Sequence, residues 1–327
     1  VKEDIVKELK IPDCMIFQMS FNRPNLIYEV WEKEPKQRSY DQVLKFIYDH
    51  HFEDKCGLIF CMSTNETEEL SEWLNMQGLN TRYYHAQMKD KEERHRVQRL
   101  WTKDKVKIIV ATLAFGMGID KPDVRFVIHH TMPKSIEEYY QESGRAGRDG
   151  VRSVCLLLFN LNDKQRVKNL ISRDSDKGVK KDEKRLEVEI QLLDLIASYC
   201  LDRCTCRRTL MLKYFGEDFD SKQCNETCDN CIHRISGLSR FVHENVTNEG
   251  ISLALIVKAI NDKRPGKSPY ATSNYVISIF QGRKIQKIKD AGDDEISEFG
   301  KGGLYRNNEN DLYRIFAALL DRQILKC

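Results

Sequence analysis

Apolar residues along this chain fall into two kinds of run. Short, nearly continuous ones occur at 56–62 (CGLIFCM), 106–111 (VKIIVA), 124–130 (VRFVIHH) and 153–159 (SVCLLLF), and TRYYHA forms a shorter, mixed one. Runs of that length are the pattern of strands covered on both faces. Between them the period becomes helical. Ser63-Thr64-Asn65-Glu66 and the stretch from Ser135 to Glu138 each set an acid three residues after a capping hydroxyl, which opens a helix. The first of these helices is expected to stop near Gly78, and Asp90 can cap another that runs to about Trp101. Strands that alternate with helices predict a parallel sheet with helices on both faces.

Outside this series the pattern differs. Residues 1–11 place Ile5 and Leu9 at helical spacing. After Asn160 comes a highly charged stretch, 173–184 (RDSDKGVKKDEK), which reads as a solvated link or an exposed helix end. Leu186, Ile190, Leu193 and Ala197 then recur at helical spacing, and 237–327 shows further helical patterns around a turn at RPGKSP.

The length of 327 residues suggests two or three domains. With 41% hydrophobic and 31% charged residues the composition is that of a soluble globular protein. No apolar run is long enough to span a bilayer, and VKEDIVKELK does not read as a signal peptide. The net charge of +3 is too small to argue for nucleic acid, so that argument must rest on local clusters.

Eleven cysteines, an odd count with no secretory signal, argue against a disulfide framework. Cys206, Cys224, Cys228 and Cys231 stand apart: CNETCDNC packs three thiols into eight residues. Four thiolates at C-x3-C-x2-C spacing, with one upstream, match a closed tetrahedral structural zinc site. Cys204 or His233 could replace one of them.

Two further segments carry candidate chemistry. AFGMGID follows the 106–111 strand, and QESGRAGRDG sets Arg145 and Arg148 around Gly147. In open parallel sheets ligands gather at the carboxyl ends of strands, and glycine lets backbone approach a phosphate. Two guanidiniums suit phosphate oxygens and the charge of phosphoryl transfer. FQGRKIQKIKD brings together Arg283, Lys284, Lys287 and Lys289 on an expected helix start, with Ile285 and Ile288 as its buried face. Basic residues at a helix N-terminus suit phosphate contact.

The stretch from KIIVATLAFGMGIDKPDVRF to QESGRAGRDG resembles helicase motifs V and VI of the RecQ family. FNRPNLIYEV and GLIFCMSTNETEELSEWL resemble that family's inter-lobe sequence and motif IV, and CRRTLMLKYFGE with CNETCDNC resembles its zinc-binding subdomain. The wording is most similar to the Bloom-syndrome helicase branch. The resemblance implies an α/β fold: a RecA-like lobe at 17–172, a helical zinc-binding subdomain at 173–236 and a winged-helix domain at 237–327 whose wing is incomplete. Residues 1–16 would be the last helix of a preceding lobe. It also implies ATP-dependent 3′–5′ DNA unwinding in the nucleus. Arg148 would be the arginine finger beside Arg145, Gln141 would couple nucleotide to DNA, and Asp120 with Gly118 would lie at the nucleotide. Thr112 and Ser63 would hold single-strand phosphates, and the winged helix would grip duplex at junctions.

These residues include no G-x-x-x-x-G-K-[ST] loop and no DEAH-type box. The phosphate cradle and the carboxylates for Mg2+ are therefore expected from an N-terminal lobe, with this segment supplying one wall of the ATP site. The alternative is a non-enzymatic zinc and winged-helix DNA-binding protein with a degenerate helicase lobe.

Overall fold

The computed structural model describes the chain except residues 1–5, 12–13, 16, 18, 89, 113–114, 116–119, 174–182, 237–243, 265–271, 304–308, 323 and 326–327. The charged stretch after Arg173 and the RPGKSP turn thus lie almost wholly outside the described residues. The chain divides into two compact units, 1–239 and 240–327.

The first unit is built on a six-stranded, all-parallel sheet in the order β1-β6-β5-β2-β4-β3. Its strands are β1 (Leu26–Glu32), β2 (Gly57–Phe60), β3 (Thr81–Tyr84), β4 (Ile108–Ala111), β5 (Phe126–His129) and β6 (Ser153–Phe159). Alternate residues of every strand but β3 feed two separate cores. Ile27, Ile59, Val110, Ile128 and Leu156 pack with helices α1 (Lys36–Asp49) and α2 (Thr64–Met76). Tyr28, Phe60, Ile109, Val127 and Leu157 face the other side. There they meet α3 (Lys91–Thr102), α4 (Ile136–Ser143), α5 (Leu161–Arg173) and α6 (Glu183–Leu201). Burial on both faces is why the central strands read as unbroken apolar runs.

The caps behave largely as read. Ser63 accepts from the Glu66 amide at 3.2 Å, and Ser135 accepts from the Glu138 amide at 3.1 Å. Each acid reaches back one residue further than a standard box, Glu66 to the Met62 amide and Glu138 to the Lys134 amide. At the N-terminus one helical turn, Val6 to Glu8, ends at Lys10, whose φ is +55°.

Strand β1 and helix α1 are additions to the sequence reading. β1 closes one side of the sheet, and its outer edge is not bare. Its Tyr28 amide donates to the Thr227 carbonyl at 3.1 Å, its Val30 amide donates to Asp229 Oδ2 at 2.9 Å, and its Leu26 carbonyl accepts from Arg208. These partners belong to the cysteine-bearing module: α7 (Arg207–Tyr214), a short 3-10 turn (Ser221–Cys224) and α8 (Asp229–Ser236). The module shares a core with the sheet, since Cys206, Cys224, Cys228 and Cys231 cluster with Tyr28, Tyr199 and Leu193.

The second unit has its own core, with Leu253, Ile256, Val276, Phe280, Ile288 and Leu312 at its centre. Its described helices are α9 (Thr247–Lys263), α10 (Ser273–Phe280), α11 (Gln286–Asp290) and α12 (Glu309–Asp321).

Candidate functional site

The sheet topology sorts the candidate residues onto two opposite rims. Helix α4 starts beyond the carboxyl end of β5 and runs back beside the sheet, so Gly144 to Arg152 form a turn at the amino rim, before β6. The strand-end rule applies to the glycines that follow β4; the arginine pair lies on the opposite rim, because α4 carries the chain back along the sheet before the arginines occur.

That turn is pinned along its backbone. The Gly147 amide donates to the Val124 carbonyl at 2.8 Å and the Asp149 amide to the Pro122 carbonyl at 3.2 Å. Asp149 takes both 2.7 and 2.6 Å bonds from Arg125. Gly147 has φ +54°, and a Cβ there would lie 2.5 Å from Asn25 Nδ2 and 2.7 Å from the Val151 carbonyl oxygen, so only glycine fits. Arg23 wraps the turn from behind, donating to the carbonyls of Gly144 (3.3 Å), Ala146 (3.1 Å) and Gly147 (3.0 Å).

The two arginines it carries differ. Arg148 is partly exposed and donates to Asp120 Oδ1 at 3.0 Å, so these two candidates meet. Arg145 is half-buried, and burial pushes its guanidinium below its ordinary value. Gln141 is exposed on the last turn of α4, while its neighbour Glu142 is buried with Oε2 2.8 Å from His129 Nε2. Gly118 lies outside the described residues.

Thr112 and Ser63 lie on the carboxyl rim, just after β4 and β2. Thr112 is half-buried and its amide donates to the Tyr84 carbonyl at 3.2 Å. On the same rim a cleft of about 420 Å³ is lined by Lys33, Ser39, Ser63, Glu66, His130 and Asp163 among others. Ser39 Oγ lies 2.9 Å from His130 Nε2, and His130 Nδ1 lies 2.9 Å from Glu66 Oε1. The order hydroxyl, imidazole, carboxylate resembles a nucleophilic triad, but Ser39 is completely buried and offers a substrate no approach. The group is a buried polar network that Lys33 joins at Glu66, 3.8 Å away, while pairing with Asp163 at 2.9 Å. Burial alone would raise the Glu66 carboxyl, but the hydrogen bond and charge of His130 and the charge of Lys33 hold it down at about 2. Burial pushes His130 below the usual imidazole value.

The four cysteines singled out by spacing converge. All are buried, and their sulfurs lie within 4.8 Å of one another. Cys206 and Cys228 Sγ are 3.9 Å apart. Zinc–sulfur bonds of about 2.3 Å in a tetrahedron put sulfurs about 3.8 Å apart, so the donor set fits that ion. Four buried thiolates need a cation to keep their charge. Asn225 and Glu226 both take positive φ (+50° and +57°), turning the chain so that Cys224 and Cys228 face each other. Cys204 is exposed and does not belong to the group, nor does the exposed His233.

In the second unit, Arg283, Lys284, Lys287 and Lys289 are all exposed on and before α11. Ile288 is buried, but Ile285 is 41% exposed, so the expected apolar face is a single residue. The reason is helix length: α11 spans only Gln286–Asp290, and Ile285 is its cap, outside the helical turn. Lys287 Nζ stands 5.4 Å from the Tyr275 ring centroid.

Three family descriptions match in succession: the helicase conserved C-terminal domain at 38–150, the RecQ zinc-binding domain at 161–232 and the RQC domain at 242–327. The chain belongs to the RecQ family of helicases. It is 40% identical to the ATP-dependent DNA helicase Q-like 4B of Arabidopsis thaliana, over 99% of this chain and 28% of that protein. It is 36% identical to the ATP-dependent helicase SGS1 of Saccharomyces cerevisiae, over 100% of this chain and 21% of that one. It is 40% identical to the RecQ-like DNA helicase BLM of Xenopus laevis, over 99% and 23%. The chain thus spans about a quarter of the length of these relatives and matches the C-terminal half of the RecQ helicase core. A solved DEAD box protein from Methanococcus jannaschii overlaps 52% of this chain and 46% of its own at TM-score 0.41 and 23% identity.

For this RecQ chain the sequence reading missed the Arg23 clamp and the Ser39–His130–Glu66 network. Neither leaves a local signal. Arg23 lies 121 residues before the first carbonyl it holds, and Ser39 lies 91 residues from His130. Glu66 could be read only as a capping acid.

Proposed function

We propose that this chain is the nucleotide-sensing and DNA-gripping half of an ATP-dependent 3′–5′ DNA helicase core of the nucleus. Residues 17–172 serve as the second RecA-like lobe, 173–236 as the zinc-binding subdomain and 237–327 as the winged helix. ATP and Mg2+ bind between this lobe and an N-terminal lobe that supplies the phosphate loop and the metal carboxylates. Arg148 acts as the arginine finger, with Arg145 beside it, and Asp120 with Gly118 lies at the nucleotide. Gln141 couples that site to DNA. Thr112 and Ser63 hold single-strand phosphates, and Arg283, Lys284, Lys287 and Lys289 hold duplex phosphates at junctions. Zinc, held by the four cysteines, is structural, because four protein ligands leave no open position.

The observation that carries this reading is the pinned amino-rim turn, which presents Arg148 partly exposed while its backbone is fixed. A partly exposed guanidinium on a fixed backbone suits the charge that develops in phosphoryl transfer. Arg148→Ala in the complete core is expected to lose about 10³–10⁵-fold in turnover while still binding nucleotide. Near-normal turnover in steady-state ATPase assays with DNA would move the role to Arg145 or end the assignment.

A further inference from the structure

We propose that Arg23 is a positioning residue for the arginine-bearing turn, and that Arg208 of the zinc module holds Arg23 in place. The catalytic half of this inference rests on the reading of Arg148 as the group that meets the nucleotide.

The geometry is a chain of hydrogen bonds running from the metal site to the amino rim. Arg208 lies two residues after Cys206, and its Nε donates at 2.9 Å to Thr227 Oγ1, the neighbour of Cys228. Its Nη1 then donates to Asn22 Oδ1 at 2.7 Å and to the Arg23 carbonyl at 2.9 Å. Its Nη2 takes the carbonyls of Pro24, at 3.4 Å, and Leu26. The backbone from Asn22 to Leu26 is thereby fixed from the zinc module. Arg23 in turn holds three carbonyls of the turn, those of Gly144, Ala146 and Gly147, which flank or adjoin Arg145 and Arg148. Asn25, from the same anchored stretch, adds bonds to the Gly147 carbonyl at 2.8 Å and the Val151 carbonyl at 3.0 Å.

The chemistry of Arg23 suits this role. Its rigid fork can span several acceptors at once, which a lysine ammonium cannot do with the same geometry. Among the described residues it forms no ion pair, and its side-chain hydrogen bonds go to backbone oxygens of a single turn. The turn itself depends on an outside hold, because Gly147 sits at positive φ and the segment lies between a helix and a strand without being part of either. Arg23 makes no hydrogen bond to Arg148's side-chain partner Asp120, so it would act through the turn rather than on the nucleotide.

The test has two arms. In the complete core, Arg23→Ala should lower kcat at least tenfold with KM for ATP within about twofold, and Arg23→Lys should recover only part of the loss. Combined with Arg148→Ala, it should add no further loss, because a misplaced finger and an absent one are equivalent. Losses that multiply, or a large rise in KM, would overturn the positioning role. In the 327-residue chain, Arg23→Ala and Arg208→Lys should both speed amide hydrogen exchange across 144–152, with one zinc per chain and the strand 153–159 still protected. Unchanged exchange at 144–152 would overturn the hold. Should Arg208→Lys lose zinc, the first variant decides alone. If Arg148→Ala turned over normally, the finger reading would fail, and the exchange arm would still decide whether Arg23 holds the turn.

Discussion

Arg207 and Asp229 form a buried ion pair, with Nε to Oδ1 at 2.9 Å and Nη2 to Oδ2 at 3.1 Å, and each residue directly follows a metal-site cysteine. The pair therefore ties the segment after Cys206 to the segment after Cys228. Both side chains are almost without solvent contact, at 1% and 8%. Arg207 is stabilised in its charged form chiefly by that neighbour, against the burial that would lower it.

Removing one partner should cost more than the pair contributes. Asp229→Ala leaves an uncompensated guanidinium in the core, for which about 3–5 kcal/mol of destabilisation is expected. It also strips the Val30 amide of its acceptor. Urea unfolding of the zinc-loaded chain measures this, and a loss below about 1 kcal/mol would show that the site relaxes to admit water.

Metal removal should unfold the module rather than merely empty it. Binding energy at such a site is folding energy. Elemental analysis is expected to give one zinc per chain, and Cys228→Ser should lose metal together with helical signal from α7 and α8. A Cys228→Ser chain that is stable and fully loaded would contradict the four-cysteine assignment.

Acid should weaken the first unit through Glu66. Its folded pKa of about 2 lies below an unfolded value of about 4.3, so its contribution is complete above about 4.3 and is lost as pH falls toward 2. Unfolding measured for the parent and Glu66→Gln across this window should show a gap that closes with acidification. A gap independent of pH would mean that shape, not charge, makes Glu66 matter.

Duplex binding should carry the signature of released counterions. Each phosphate contact contributes about 0.9 to the slope of log affinity against log salt. Replacing Lys284 and Lys287 by Ala should flatten the slope by about two units, with sequence preference unchanged, because such contacts position without reading bases. An equal slope in the variant would place the duplex contacts elsewhere.

What was legible in the chain followed from where each residue's environment came from. The central strands declared themselves because burial on both faces demands unbroken apolar runs. The cysteines did so because metal ligands recur at short spacing. β1 did not, because LIYEVWE interleaves Glu29 and Glu32 with its apolar residues at a sheet edge that distant groups complete. Helix α1 lacked a signal because its cap is Pro35, which offers no side-chain bond. The arginine turn was legible in its residues but not in its place: GRAGR names the guanidiniums, whereas the length of α4 and the reach of Arg23 decide which rim they occupy.

The covered edge of β1 has a bearing on solubility. An unpaired strand edge is a template onto which a second chain can add, and proteins commonly guard such edges with short strands, charges or a covering element. The far edge of this sheet, β3, is only four residues long and carries Arg82. β1 is longer, at seven residues, and its first three are buried tightly. Its guard is the loop from Thr227 to Asp229, which lies between metal ligands. The segment that carries Cys228 thus occupies the edge onto which a second chain could otherwise add, since the Thr227 carbonyl and the Asp229 carboxylate take the Tyr28 and Val30 amides.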